Sequence, residues 1–197
     1  MYKGSVMTDS LTQRLNEVLP KITSNEFLSS KGLGNEIAFY IFDYPPEEEL
    51  RIREHIQFLI MHIPKNKPGL RFIHVNLFNL IVDYLKQRNL LDKSFQKQKE
   101  KGDAALAKAL SGPLKEEKLV QIFAEFVQPR NQDLVLVSGV GNVWPLVRSH
   151  TLLNNLQTVM DQTPLVMFYP GRYDGQTLRL FGKIKSKNYY RAFKLVP

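Results

Sequence analysis

Asp43, Glu47, Glu48 and Glu49 gather four carboxylates in one short stretch, IFDYPPEEE at 41–49. Paired carboxylates can hold a divalent cation or divide the work of acid and base. The stretch closes an apolar run at 37–42 and opens an amphipathic one at 50–63, which reads as strand, turn and helix. In α/β proteins such a turn often holds phosphate, because backbone N–H groups and a positive helix N-terminus converge there. Pro45 and Pro46 remove two of those donors, and four carboxylates would repel a triphosphate. A phosphate loop in the form GxxxxGK followed by Ser or Thr is absent: Gly182-Lys183 runs into Ile184. Asp43, Pro45 and Pro46 are therefore expected as structural turn residues, with the acids complementing the helix dipole. A Mg²⁺ or acid–base role for Asp43, at the carboxyl end of a strand, is the competing reading.

Two further turns leave predicted strands. Ser138-Gly139-Val140-Gly141-Asn142-Val143-Trp144-Pro145 has two glycines but places Trp144 where the dinucleotide fingerprint needs a third. Gly139, Gly141, Asn142 and Trp144 are read as a tight connection, Trp144 anchoring it and Pro145 opening the next helix. The second turn, Tyr169 to Gln176, contains the turn pair Asp174-Gly175. Its Tyr169, Arg172, Tyr173, Asp174 and Gln176 are residue types suited to binding a protein partner.

The chain's net charge of +8 is concentrated beyond this turn. Residues 171–197 hold seven Lys/Arg against Asp174 alone, a net +6 that leaves +2 for the rest. Arg179, Lys183, Lys185, Lys187 and Arg191, interleaved with Phe181, Tyr189, Tyr190 and Phe193, are candidates for nucleic-acid contact. The plainer reading is a solvated, Lys-rich sheet edge with Phe181 and Phe193 in the core. No metal site follows from the four histidines: His55 and His62 stand seven apart, not four, and His74 and His150 read as structural. Neither a GxSxG elbow nor a cysteine is present.

The elements that must position these residues alternate. Two short helices around Leu11–Val18 and Ile22–Leu28, divided by Pro20, precede a turn at Gly32–Asn35 and a strand at 36–42. A helix at 50–63, ended by Pro64, leads to a strand at 70–75. A long helical stretch follows, with an insertion at about 86–128 that is too poor in apolar residues for its own core. Strands at 133–137 and 164–168 flank a helix at 146–159, and two last strands at 178–181 and 190–196 are expected antiparallel at the edge. The pattern predicts an α/β fold: a mainly parallel sheet flanked by helices, Rossmann-like or P-loop-like without a phosphate loop. Residues 10–197 make one domain, and 1–9 read as a flexible leader or cloning remnant, Met7 being a possible natural start.

At 197 residues, 43% hydrophobic and 23% charged, the chain is composed like a soluble globular protein. No apolar segment approaches the roughly 20 residues of a membrane span. Lack of cysteine fits a reducing cytoplasm and excludes disulfides and thiolate metal sites.

Three blocks are specific together: FYIFDYPPEEEL at 39–50, SGVGNVWPLVRSHTLLNNLQ at 138–157 and FYPGRYDGQTLRLFG at 168–182, with YYRAFKLV near the end. They resemble the BrxB family of the BREX bacteriophage-exclusion systems, over roughly residues 10–197; the leader before Met7 departs from it. The resemblance implies a cytoplasmic bacterial protein acting beside a DNA methyltransferase, a large ATPase and a phosphatase-like protein. It brings no catalytic residues. The joint expectation is a non-catalytic assembly subunit without cofactor or metal, or, alternatively, a DNA-binding subunit using its basic C-terminal region.

Overall fold

A computed structural model describes residues 10–29, 38–147, 155–156, 158–160, 162–185 and 192–197, with Lys185 placed by its backbone alone. The leader, the Gly32–Asn35 turn, His150, Lys187, Tyr189, Tyr190 and Arg191 lie outside the described residues.

Helices α1 (Ser10–Thr23) and α2 (Asn25–Ser29) lead to strand β1 (Phe39–Tyr44). A short 3-10 turn, Pro46–Glu48, runs into α3 (Glu49–Asn66), then β2 (Phe72–Asn76). Helices α4 (Leu77–Gln87), α5 (Leu91–Leu110) and α6 (Glu116–Val127) precede β3 (Leu134–Ser138). Residues 155, 156 and 158–160 are helical, and the chain continues through β4 (Leu165–Tyr173), β5 (Leu178–Leu180), β6 (Ile184–Lys185) and β7 (Phe193–Lys194).

The sheet order is β2-β3-β4-β1-β7, all parallel, with β5 antiparallel on β4 and β6 antiparallel on β5. The handedness of crossovers explains which helices cover which face. The β1-to-β2 connection moves one way along the sheet and places α3 on one face. The β2-to-β3 and β3-to-β4 connections move back the other way and place α4, α6 and the helical residues near 156–160 on the opposite face. Side chains alternate between these layers. Phe39, Ile41, Val135, Val137, Leu165 and Met167 meet α4 and α6; Phe42, Tyr44, Leu134, Leu136, Val166 and Phe168 meet α1 and α3. Burial on both faces is why these strands read as unbroken apolar runs. Arg71 clamps the starts of β2 and β3, its backbone N–H and guanidinium both donating to Asp133.

Several local signals were overridden. Pro20 and Pro64 lie inside the last turns of α1 and α3, so neither helix stops at its proline. The tail strand β7 is parallel to β1, not antiparallel, with Tyr40 opposite Phe193. Tyr169–Tyr173 is strand, not turn, because β4 continues past the end of β1 and pairs onward with β5. Residues 141–147 are turns rather than the start of a helix at Pro145. Within the predicted insertion, α6 buries Leu119, Phe123 and Val127 in the main core, whereas α5, kinked at Gly102, buries Leu110 alone.

Candidate functional site

In open α/β sheets, ligands favour the crevice beyond the strands' carboxyl ends. The central crevice here lies between β1 and β4, where Asp43 stands opposite Tyr169. Its occupant is the protein itself. Asp43 Oδ1 accepts from Arg14 Nη2 at 2.8 Å, and Oδ2 accepts the backbone N–H of Tyr173 at 2.9 Å. Arg14, projecting from α1, also donates to the carbonyls of Asp43 (2.8 Å) and Val196 (3.1 Å) and lies over the Phe42 ring at 4.7 Å. Asp43 thus ties α1, β1, β4 and the C-terminal segment together. The neighbouring acids act locally. Glu48 pairs with Arg51, while Glu49 accepts from Tyr44 Oη at 2.5 Å and from Arg53 Nε at 2.9 Å. Burial, then the hydrogen bond to Glu49, pushes the Tyr44 hydroxyl's pKa well above its ordinary value. Pro46 occupies the first position of the 3-10 turn, where no N–H is needed. No group of three or more His, Asp or Glu side chains converges for a metal among the described residues.

A second crevice, at the carboxyl ends of β2 and β3, is open. A cleft of about 1160 Å³ lies between α3, α4 and α6, with His74, Asn76, Ser138 and Asn142 at its floor and Phe78, Tyr84, Ile122 and Phe126 on its walls. The SGVGN turn is built around Asn76. Its Oδ1 caps α4 by accepting the N–H groups of Phe78 and Asn79, at 3.0 and 3.2 Å. A Cβ at Gly139, whose φ is +74°, would stand 2.5 Å from that oxygen. A Cβ at Gly141 would press on Pro170 and Phe181 at 2.9 Å, and the Asn142 N–H closes the turn onto the Gly139 carbonyl. Trp144 is 44% exposed and only edge-on to Phe181, at 6.3 Å, so it rims the turn rather than anchoring it. His74 Nε2 lies 2.8 Å from Ser138 Oγ, and burial lowers the imidazole's pKa, favouring the neutral ring. Sequence reasoning singled out neither partner of this pair as functional. The available signal was register: His74 and Ser138 share the parity of Phe72 and of Leu134 and Leu136, at the carboxyl ends of adjacent strands. Because Asn76 already takes the first N–H groups of α4, this floor suits neutral polar or apolar groups better than an anion.

The third feature is the ribbon of β4, β5 and β6. Tyr169 and Tyr173 are each 1% exposed, which corrects their assignment to a partner surface: both are core residues of β4. The Tyr173 hydroxyl sits within hydrogen-bonding distance of the carbonyls of Gly175 (3.0 Å) and Ala192 (2.7 Å). Arg172, Asp174 and Gln176 remain exposed. The Asp174 carboxylate accepts from the backbone and hydroxyl of Thr177 and the N–H of Gln176, which hold its pKa down at about 2. Arg179 and Lys183 are exposed too, whereas Lys187 and Arg191 lie outside the described residues. Phe193 is 46% exposed and Phe181 half-buried.

Fold and site together define an α/β protein with the outline of a ligand-binding sheet, its central crevice closed by its own side chains and an open cleft at its flank. Residues 73–195 match the family described as BREX protein BrxB. A BREX protein BrxB from Escherichia coli O9:H4 (strain HS) is 44% identical over 187 residues, covering 95% of this chain and 92% of that one. Another, from Bacillus cereus (strain H3081.97), is 45% identical over 190 residues, covering 94% and 97%. The chain belongs to the BrxB family of BREX proteins. No solved structure matches it. No helix among the described residues is long and apolar enough to cross a membrane.

Proposed function

We propose that this chain is a non-catalytic assembly subunit of a cytoplasmic BREX phage-defence complex, binding another BREX protein through the cleft beside β2. The observation that carries this reading is the contrast between the two crevices. At the central one, Asp43 is consumed by Arg14 and Tyr173. At the flank, Phe78 and Phe126, 45% and 55% exposed, stand on the walls of an open cleft. Exposed aromatics on the walls of a concave surface with a polar floor are what a protein partner's side chains bury against. The phosphatase-like protein, the large ATPase and the methyltransferase implied by the family are the partners to try.

The test is affinity capture of each purified partner by the full chain, comparing wild type with Phe78→Ser/Phe126→Ser. Loss of two anchors should weaken the complex at least about 30-fold, since hot-spot truncations reach about 2 kcal/mol or more. The variant should melt close to wild type, because both side chains are already exposed. Partners that run separately at micromolar concentration, or a complex indifferent to both substitutions, would sink the reading. So would nucleotide turnover that depends on Asp43.

A further inference from the structure

The antiparallel register sets three cations in a row. Arg172 of β4 stands opposite Arg179 of β5, and Arg179 stands opposite Lys185 of β6. Like charges directly opposite on neighbouring strands destabilise a sheet, so the row has a standing cost. Among the described residues it is little offset. Arg172, Arg179 and Lys183 form no ion pair or side-chain hydrogen bond among the described residues. Asp174, in the turn between β4 and β5, has its carboxylate engaged by Gln176 and Thr177 and feels the Arg179 charge without pairing with it. Protection of a sheet edge accounts for a lysine on β6, which is the outer strand. It does not account for two arginines facing each other on β4 and β5.

We propose that the outer face of this ribbon binds single-stranded nucleic acid, an activity beyond the assembly reading and independent of it. Neighbouring strands lie about 4.8 Å apart, so the facing Arg172 and Arg179 lie within reach of successive phosphates on a flexible strand. Arg172, Arg179 and Lys183, all exposed, supply the attracting field. Trp144, half-exposed beside Phe181 at the end of β5, offers a ring on which an unpaired base can stack. Geometry selects against a duplex. A β-ribbon reads duplex DNA by entering the major groove, but the inner face of this one, Tyr173, Leu178 and Leu180, is packed into the core. One face remains, and the Trp144 ring beside Phe181 can stack only where bases are unpaired.

The test is fluorescence anisotropy on the full chain with labelled strands of about 20 nucleotides, as single-stranded DNA, RNA of the same sequence and duplex DNA, over roughly 50 to 300 mM KCl. Either single strand should bind more tightly than the duplex, and the DNA and RNA arms identify which is taken. Arg172→Gln/Arg179→Gln should weaken binding about tenfold and reduce the log–log salt slope by about 1.4, two contacts at about 0.7 each. Lys93→Gln/Lys99→Gln removes the same charge from the exposed face of α5 and should change affinity less than about twofold. The ribbon variant should melt no lower than wild type, since it relieves a like-charge pair. Equal losses in both variants, preference for duplex, or binding of an acidic peptide with no strand bound at about 50 mM salt would each overturn the proposal. Capture of a protein partner through Phe78 and Phe126 would be unaffected by any of these results.

Discussion

At the scale of single residues, Asp43 carries the most structure. Arg14 and Asp43 are largely shielded, with side chains 22% and 11% exposed. Removing either partner strands the other, and Asp43 also satisfies the Tyr173 N–H. Asp43→Ala should therefore destabilise the fold by about 3–5 kcal/mol in urea denaturation. Arg14→Ala should do likewise, and the double variant should fall short of the sum by about 1–3 kcal/mol. Strict additivity would mean that the pair is not coupled. The sequence announced Asp43 but not its role. Arg14 lies 29 positions away and Tyr173 130, and a single sequence carries no mark of contacts so remote. The roles of Glu48 and Glu49 are local, their partners Tyr44, Arg51 and Arg53 lying within five residues.

At the scale of elements, the same division holds. β1 and β3 are apolar runs broken only by Asp43 and Ser138 near their carboxyl ends, and both were readable within two or three residues. β4 was cut short because Pro170-Gly171 reads as a turn. In the sheet, Pro170 stands opposite Tyr44 at the end of β1, and its carbonyl accepts from Phe181 N–H at 2.9 Å. Gly171 is there for space: a Cβ would stand 2.1 Å from the Arg179 carbonyl oxygen. Gly171→Ala should part β5 from β4, cost about 3 kcal/mol or more, and expose the Phe181 amide to rapid hydrogen exchange. Gly112→Ala, where a Cβ meets nothing within 4 Å, should stay within about 0.5 kcal/mol of wild type. Retained protection at Phe181 in the first variant would mean that the strands part more easily, or matter less, than their closeness implies.

For the whole molecule, the response to acid follows from which ionisable groups the fold shelters. His55 on α3 has a buried Nε2 with no hydrogen-bond partner among the described residues and a ring stacked 5.6 Å from Phe58. Burial first, and then the nearby Arg51 charge, lower its pKa from 6.5 to about 4. His74 is lowered in the same direction by burial alone, beside Ser138. Both rings bind a proton less readily folded than unfolded. Above pH 6.5 they are neutral in either state and exert no pull. As pH falls from 6.5 towards 4 the unfolded chain takes up protons first, and stability drops across that window. Carboxylates act lower down: Asp174, held at about 2, and Asp133, lowered by Arg71, lose their contribution only as pH falls through the ordinary carboxylate range towards 2. The denaturation midpoint should therefore show a histidine shoulder distinct from the carboxylate loss, amounting for His55 to about 1 kcal/mol once the water reaching its ring is allowed for. Urea titrations between about pH 7.5 and about 4.5 on wild type and His55→Gln would measure it, the variant retaining only the part due to His74. A wild-type midpoint level across that range, or a shoulder of the same size in the variant, would show that His55 gives up its buried site without penalty when it takes a proton.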